Sequence, residues 1–210
     1  MKRYIPVFAS AAITAAFLIL PSFAFAAIIS VPSGQPTIQA AVNAAAAGDT
    51  IIVAAGTYTE QVLVNKKLRI NGANAGISVG ATPGTRGIES IVDGGFYIQT
   101  AADGTVVDGF TVEHGYVDGG HNDGFTVEPS GTPGVTIQNN IIETVTTPDQ
   151  SNGIETGYAA NNLTIKDNSI KNNYRGIYLN PSDSVTITGN VIDSNNGSGV
   201  GIGSDGQSNF

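Results

Sequence analysis

Residues that could bind or cleave a sugar recur at related positions in the second half of the chain. A glycine followed by an apolar residue occurs in five similar segments: GGFYI at 94–98, DGFTV at 123–127, NGIET at 152–156, RGIYL at 175–179 and SGVGI at 198–202. If each segment is a strand whose apolar residue faces inward, the alternate side chains face solvent. The side chains that then share one outer face, or stand at the beginning of its strands, are Asp123, Thr126, Glu128, Glu155, Arg175 and Tyr178.

Carboxylates, a cation and an aromatic ring are groups that converge in binding sites, and this mixture is typical of sugar recognition. The six residues therefore form the predicted ligand-binding face. Hydrolysis of a glycosidic bond needs two positioned carboxylates, which Asp123 and Glu155 could supply. Lyase chemistry needs a basic residue such as Arg175 or Lys171 beside a calcium site. The alternative is an ordinary solvated sheet surface with cross-strand pairs.

Asp and Asn are frequent in two long turns, YVDGGHND at 116–123 and TTPDQSN at 146–152. The carboxylates of Asp118, Asp123 and Asp149 are oxygen ligands that calcium accepts, so a calcium site is one interpretation, although no cofactor is expected to be required. Asp and Asn also favour turns for backbone reasons alone, which is the alternative. The chain has no Cys, one Met and two His, so a soft copper or zinc site is not expected.

The first 26 residues have the pattern of a secretory signal peptide. Lys2 and Arg3 precede an apolar run at 4–20, and a small-x-small cleavage site follows at 24–26. The alternative is an uncleaved membrane anchor. With cleavage, residues 27–210 form the domain, and we expect a secreted, cell-surface or periplasmic protein with no membrane span. Two of the nine basic residues are then lost, which leaves a net charge of 7 − 17 = −10, so nucleic acid is not an expected partner.

A second motif marks a repeated unit. The form apolar-x-apolar-x-x-Asn-x-apolar occurs as VTIQNNII at 135–142, LTIKDNSI at 163–170 and VTITGNVI at 185–192, and a weaker copy at 105–112 has Phe110 in place of the asparagine. Such short units cannot bury an apolar face alone, so they must stack. We expect Asn140, Asn168 and Asn190 to form one hydrogen-bonded column. The column would lie at a corner of the coil, because asparagine tolerates the left-handed backbone conformation that such a corner requires. In the alternative, a β-sandwich, they are unrelated turn residues.

The segment before the repeats carries the strongest resemblance to a known family. GQPTIQAAVNAAAAGDTIIVAAGTYTEQVLVNKKLRINGAN at 34–74 resembles the beginning of right-handed parallel β-helix proteins of the pectin lyase-like superfamily, in particular those with CASH-type repeats and the NosD-like periplasmic proteins. The resemblance implies an all-β fold, a single-stranded right-handed parallel β-helix (a solenoid) with an N-terminal capping helix. The helical spacing of Ile38, Ala41 and Val42 independently predicts a helix near 37–47.

Active-site elements of the enzymes in this superfamily are only partly present. GGHNDG at 119–124 resembles the Asp-Asp and Gly-His-Gly elements of polygalacturonases, and GTYTEQV at 56–62 resembles the early part of pectinesterases. The other active-site segments of both enzymes are absent from the sequence. No catalytic residue is therefore assigned.

These observations favour a β-helix domain that interacts with polysaccharide and binds it rather than cleaving it. The alternatives are a non-catalytic structural, adhesin or periplasmic scaffold protein, and the N-terminal part of a polysaccharide lyase or hydrolase. The sequence stops in the turn after SGVGI, and a β-helix has exposed strand edges at its ends. We therefore expect the domain to be incomplete at that end, with the last coil covered by further chain or by another subunit.

Overall fold

A computed structural model describes residues 25–80, 86–118, 121–128, 134–143, 151–157 and 160–203. The predicted signal peptide lies almost wholly outside these residues and stays a prediction. The elements, in chain order, are β1 (Ile28–Val31), α1 (Ile38–Ala44), β2 (Thr50–Val53), β3 (Gly56–Tyr58), β4 (Val62–Val64), β5 (Arg69–Asn71), β6 (Ser90–Asp93), β7 (Phe96–Ile98), a 3-10 turn (Thr100–Ala102), β8 (Val106–Asp108), β9 (Thr111–Glu113), β10 (Tyr116–Asp118), β11 (His121–Asp123), β12 (Phe125–Val127), β13 (Thr136–Gln138), β14 (Ile141–Glu143), β15 (Asn152–Thr156), β16 (Thr164–Lys166), β17 (Ser169–Lys171), β18 (Arg175–Leu179), β19 (Thr186–Thr188), β20 (Val191–Asp193) and β21 (Val200–Ile202).

The strands stack into three parallel sheets because each coil of the chain gives one strand to each sheet. Sheet A has the order β1-β2-β5-β8-β13-β16-β19, sheet B has β3-β6-β9-β14-β17-β20, and sheet C has β4-β7-β12-β15-β18-β21. Neighbouring strands of a sheet lie about 4.8 Å apart. This architecture confirms the predicted all-β parallel solenoid.

The register of sheet C follows the glycine-apolar segments of the sequence. The inward residues Phe96, Phe125, Ile154, Ile177 and Val200 are successive partners on adjacent strands. The first two stack their rings with centroids 5.1 Å apart, and the first four are fully buried. The interior is therefore a column of apolar side chains, which supplies most of the driving force for stacking the coils.

A column of asparagines lies at the corner between sheets A and B. Asn140, Asn168 and Asn190 occupy equivalent positions in three successive coils, and each accepts or donates hydrogen bonds across the gap between coils. The expected left-handed backbone belongs to the preceding residue instead, because positive φ occurs at Asn139, Asp167 and Gly189. Since that residue turns the chain, the ladder asparagine is left free to point inward.

The weak repeat at 105–112 ends this column. Phe110 replaces the asparagine, is fully buried, and packs edge-on against Phe96 with ring centroids 5.4 Å apart. Its backbone N–H donates to Asn140 Oδ1 at 2.9 Å. The ladder therefore stops at an aromatic side chain without leaving the Asn140 oxygen unpaired.

A second, shorter asparagine ladder lies at the next corner, between sheets B and C. The backbone N–H and Nδ2 of Asn173 both donate to Asn195 Oδ1, at 3.0 and 3.1 Å. The residues before them, Asn172 and Ser194, have positive φ. Each residue of this ladder follows one of the first ladder by five positions, in the segments NSIKNN and NVIDSN. That spacing was available in the sequence and was missed.

The helix covers the first coil, as predicted, but is shorter than expected and ends at Ala44. Thr37 caps it by accepting from the Ala40 backbone N–H at 3.0 Å. The backbone N–H groups of Ile38 and Gln39, the first two residues of the helix, donate to the Glu60 carboxylate at 2.9 and 2.8 Å. An acid at this end also interacts favourably with the helix dipole. The helix is thus anchored to the coil beneath it.

One pair of strands departs from the parallel pattern. Strands β10 and β11 form an antiparallel hairpin in which Tyr116 is the partner of Asp123, where the sequence predicted a turn at 116–123. The predicted turn at 146–152 ends in β15, and residues 144–150 lie outside the described part of the chain. The hairpin matters for the site because its last residue is Asp123.

The last described coil leaves apolar side chains uncovered. Val191, Val200 and Ile202 are 50%, 43% and 49% exposed. The last two of these line a cavity of about 350 Å³, whose walls are Leu179, Ser182, Ser184, Val185, Ile187, Val200 and Ile202. What covers this end stays a prediction. Among the described residues, no helix has the length and apolar character needed to cross a bilayer.

Candidate functional site

A column of side chains on the outer face of sheet C is the framework of the candidate site. The partners in successive coils are Tyr97, Thr126, Glu155, Tyr178 and Gly201. The register therefore brings the predicted Thr126, Glu155 and Tyr178 together. Tyr97 was not among the predicted residues, although it holds the same position in the segment GGFYI.

Two carboxyl groups meet at the middle of this column. Asp123 is only 2% exposed, accepts from the Asn152 backbone N–H at 2.8 Å, and lies in hydrogen-bonding contact with the Glu155 carboxyl. Glu155 Oε2 accepts from Asn152 Nδ2 at 2.7 Å. Burial, and after it the negative charge of Glu155, raise the pKa of the Asp123 carboxyl from its ordinary 3.8 to about 8. The carboxyl pair therefore retains a proton at pH values at which an ordinary aspartate has lost it.

Two buried oxygens border the carboxyl pair. Asn152 is 1% exposed and Thr126 is 8% exposed. Within the described part of the chain, Asn152 Oδ1 and Thr126 Oγ1 have no hydrogen-bond partner. Burying an unpaired polar atom is costly; among the described residues, Asn71 Oδ1, Thr111 Oγ1 and Ser182 Oγ are in the same state elsewhere in the fold.

Arg175 lies between two tyrosines at the next coil. Its guanidinium carbon is 4.9 Å from the centroid of the Tyr174 ring and 4.4 Å from that of Tyr178. The glycines at 201 and 203 make room for Tyr178, because a Cβ added there would meet its ring carbons or hydroxyl within 3.1 Å. The sequence did not single out Tyr174, which precedes Arg175 directly.

The remaining predicted residue, Glu128, belongs to a shallow cavity beside the column. The Tyr97 hydroxyl donates to Glu128 Oε1 at 2.6 Å. The cavity has a volume of about 350 Å³ and is lined by Tyr97, Gln99, Thr100, Ala101 and Glu128. Its walls are polar groups and short side chains, and it is open to solvent.

The separation of the carboxyl groups bears on catalysis. Glycosidases that retain configuration place their two carboxyls about 5 to 5.5 Å apart, and those that invert it about 6.5 to 9.5 Å apart. Asp123 and Glu155 are in direct hydrogen-bonding contact, and Asp123 is buried beneath the sheet surface. This geometry matches neither arrangement.

The predicted calcium ligands are only partly within the described structure. Asp149 lies outside the described residues, and the side chain of Asp118 is likewise not described. Among the residues that are described, no group of three or more His, Asp or Glu side chains is placed to hold a metal ion. The set of Asp118, Asp123 and Asp149 therefore stays a prediction.

The stacked coils, three parallel sheets and buried corner asparagines define a protein of the parallel β-helix class. A family model described as a right handed beta helix region matches residues 94–210, more than half of the chain. The chain therefore belongs to this family, and its coils wind with the right hand expected for parallel crossovers. A search of curated proteins and a search of solved structures each found no match.

Proposed function

We propose that the domain binds a neutral polysaccharide along the outer face of sheet C. The observation that carries this proposal is the column of Tyr97, Thr126, Glu155 and Tyr178 on adjacent parallel strands. Four positions at a spacing of about 4.8 Å span about 14 Å. A sugar chain lying along the β-helix axis would meet the Tyr97 ring, the Glu155 carboxylate and the Tyr178 ring, and would pass over the buried Thr126.

The rigidity of these side chains supports binding. Tyr97 is held by its hydrogen bond to Glu128, and Tyr178 is held by the stacked Arg175 guanidinium and the glycines beneath it. Side chains ordered in advance lose little entropy when a ligand binds. Because Arg175 covers one face of Tyr178, that ring is expected to meet the sugar through its hydroxyl and its uncovered side.

The proposal also covers where the protein acts and which groups of the polysaccharide it contacts. A polysaccharide-binding domain with a leader such as residues 1–26 would act outside the cytoplasm, as a secreted, cell-surface or periplasmic protein. Carboxylates are common acceptors for hydroxyl groups, and Glu128 and Glu155 supply them at two points of the face. No cleavage step is part of the proposal, since the carboxyl geometry described above fits neither hydrolytic arrangement.

A polysaccharide array followed by calorimetry tests the proposal. The mature chain is compared with a Glu155→Ala, Tyr178→Ala double variant and with a Glu113→Ala, Lys166→Ala control that removes side chains from sheets B and A. We expect binding of at least one neutral glycan, weakened ten-fold or more by the first pair of changes and unchanged by the second. Absence of glycan binding, or equal affinities for the three proteins, contradicts the proposal.

A scaffold function is the second candidate. It is favoured by the apolar side chains of Val191, Val200 and Ile202, which are exposed on the last described coil, where β20 and β21 are the last described strands of their sheets. Such surfaces typically join another protein segment. A chain that binds no glycan on the array but associates through this coil would support the scaffold function instead.

A further inference from the structure

The last described coil, residues 185–202, repeats the coil below it but is far less buried. In the coil below, the inward apolar side chains are at most 6% exposed: Leu163, Ile165, Ile170, Ile177 and Leu179. Their register partners and equivalents in the last coil are half-buried or exposed: Val185, Ile187, Ile192, Val200 and Ile202. Since both sets hold the same positions, the difference reflects the contact that each lower coil makes with the coil above it.

The two asparagine ladders show which polar groups one coil offers to the next. The Asn168 backbone N–H donates to Oδ1 of Asn190 in the coil above, at 3.0 Å. Asn190 Nδ2 donates back to the carbonyl of Ile165, three residues before Asn168, at 2.8 Å. The second ladder repeats both contacts with Asn195 above Asn173. At each corner, one primary amide therefore satisfies a backbone donor and a backbone acceptor of the coil below.

The last coil presents the same pair of groups at both corners. The N–H groups of Asn190 and Asn195 have no hydrogen-bond partner among the described residues. The matching carbonyls are those of Ile187 and Ile192. On either side of Ile187, the Thr186 N–H and the Thr188 carbonyl bond to the coil below, and so does the Val191 N–H beside Ile192. Because successive residues of a strand direct their backbone groups to opposite neighbours, both isoleucine carbonyls point to the open side.

We propose that this coil is the docking surface for a partner polypeptide that adds one more parallel coil and brings an asparagine to each of the two corners. A carboxamide fits each corner because its oxygen accepts and its nitrogen donates, whereas a carboxylate only accepts. Apolar side chains of the same partner coil would cover Val200 and Ile202 at the cavity. The inference rests on the scaffold function, the second candidate above, and is independent of polysaccharide binding.

A second copy of this chain does not offer the required groups at either end. Helix α1 packs over the first coil, and the amides of Asn190 and Asn195 already bond to the coil below their own. Two last coils placed face to face would wind in opposite senses, so their strands would be antiparallel, whereas the ladders join parallel strands. Strand addition at a sheet edge is a common mode of peptide recognition, and here β19, β20 and β21 end three sheets on one side.

A synthetic peptide of residues 163–184 is the probe, because it is one coil of this chain with an asparagine for each corner. The labelled peptide is titrated with the mature chain and binding is followed by fluorescence anisotropy at pH 7. We expect saturable binding. An Asn168→Asp peptide keeps the side-chain shape but lacks the amide donor and should bind at least ten-fold more weakly. An Asn172→Asp peptide has the same change of charge at an exposed position outside the ladders and should bind within two-fold of the unmodified peptide.

Two variants of the protein locate the docking surface. Ile202→Asp places a charge on the last coil and should weaken peptide binding at least ten-fold. Ile52→Asp, at a comparably exposed isoleucine of β2 near the opposite end (43% against 49% exposed), is the matched control and should bind as the wild type does. Circular dichroism establishes that both variants are folded, and the peptide variants keep the test valid if either protein variant is not.

Sedimentation of the mature chain alone distinguishes the partner from a second copy. We expect a monomer. A dimer that Ile202→Asp dissociates would overturn the proposal, because a second copy would then cover the coil, while the scaffold function would stand. Absence of saturable peptide binding, or equal affinities of the unmodified and Asn168→Asp peptides, would also overturn it. None of these outcomes bears on glycan binding, which the array measures separately.

Discussion

Asn168 accepts two hydrogen bonds from Asn140 through one side-chain oxygen, which lies 2.9 Å from the Asn140 backbone nitrogen and 3.2 Å from its Nδ2. On its other side, Asn168 donates two hydrogen bonds to Asn190 Oδ1, at 3.0 and 2.9 Å. Its Nδ2 also donates to the Ile137 carbonyl at 3.0 Å. One fully buried amide therefore joins three coils at the point where the chain turns.

Replacing Asn168 by Leu should destabilise the domain severely. The change leaves the Asn140 backbone N–H buried without a partner, and it also removes the hydrogen bonds to Asn190 and to the Ile137 carbonyl. Leaving one buried polar group unpaired costs about 1 to 3 kcal/mol. We expect a loss of about 3 to 5 kcal/mol in the free energy of unfolding, measured by thermal melting. Thr186→Leu on the exposed face of β19 is the control, because its side chain makes no ladder contact. Equal melting temperatures for the two variants would contradict the structural role of the ladder.

The glycines of the repeated segments should differ in how well they tolerate replacement by alanine. A Cβ at Gly153 would lie 2.6 Å from the Gly176 carbonyl oxygen and 3.0 Å from Asn173 Nδ2, and a Cβ at Gly176 would meet the equivalent atoms of the next coil. Alanine at either position must therefore displace the backbone of the neighbouring coil and the asparagine of the second ladder. Overpacking of this kind costs about 1 to 3 kcal/mol.

Gly199 is the matched control for these glycines. It holds the same position in the last described segment, but its nearest neighbour to an added Cβ is Ile192 Cγ2 at 3.4 Å. We expect Gly199→Ala to melt within a degree or two of the wild type, and Gly153→Ala and Gly176→Ala to melt well below it. A comparable loss in all three variants would show that chain entropy, not the close approach of coils, requires glycine here.

The regular part of the fold was predictable from the sequence because stacking repeats the same contacts. Phe125, Ile154 and Ile177 are recognisable partners since each follows a glycine at a constant place in the unit, and their register then places Thr126, Glu155 and Tyr178 on one outer face. The left-handed corner residues were assigned one position too late. Asn, Asp and Gly all tolerate the left-handed conformation, and the residues before the ladder asparagines are Asn139, Asp167 and Gly189. The residue types alone therefore do not decide which of the two positions adopts it.

The carboxyl pair was not predictable in the same way. Asp123 is the last residue of the β10–β11 hairpin, whose antiparallel pairing interrupts the parallel repeat. Sequence spacing put Asp123 at the beginning of a strand and suggested an exposed ligand. The structure places it beneath the surface, in contact with Asn152 and Glu155.

The stability of the domain should fall as pH rises through the range in which Asp123 titrates. Because the folded-state pKa of Asp123 is raised from 3.8 to about 8, the folded chain keeps this proton at pH values where the unfolded chain loses it. The contribution is full below about pH 4 and is lost as pH approaches 8, with a slope of up to about 1.4 kcal/mol per pH unit. Asp123→Asn removes this slope, since its amide does not titrate.

The measurement is the difference in free energy of unfolding between wild type and Asp123→Asn at pH 5, 6.5 and 8, in buffer with EDTA. The difference cancels titrating groups that the variant leaves unchanged. We expect the variant to gain stability relative to the wild type as pH rises, because asparagine can still accept from the Asn152 N–H and donate to Glu155. A difference independent of pH would mean that Asp123 is ionised in the folded chain.

The outer face of sheet C should prefer neutral to acidic polysaccharides. Its carboxylates Glu128 and Glu155 lie on a chain whose net charge is −8, and the cation beside them, Arg175, is already stacked between two tyrosines. In EDTA, a polyuronate is therefore expected to bind at least ten-fold more weakly than a neutral glycan of the same length.

The neutral glycan's affinity should change less than two-fold when salt shortens the Debye length from about 10 to about 3 Å, because hydrogen bonds and ring contacts, not charge pairs, hold it. Calorimetry with both glycans, on the wild type and on Arg175→Ala, measures this preference. Tight polyuronate binding in EDTA that Arg175→Ala abolishes would contradict it, because the Arg175 guanidinium would then be the recognition group and the ligand would be an acidic glycan.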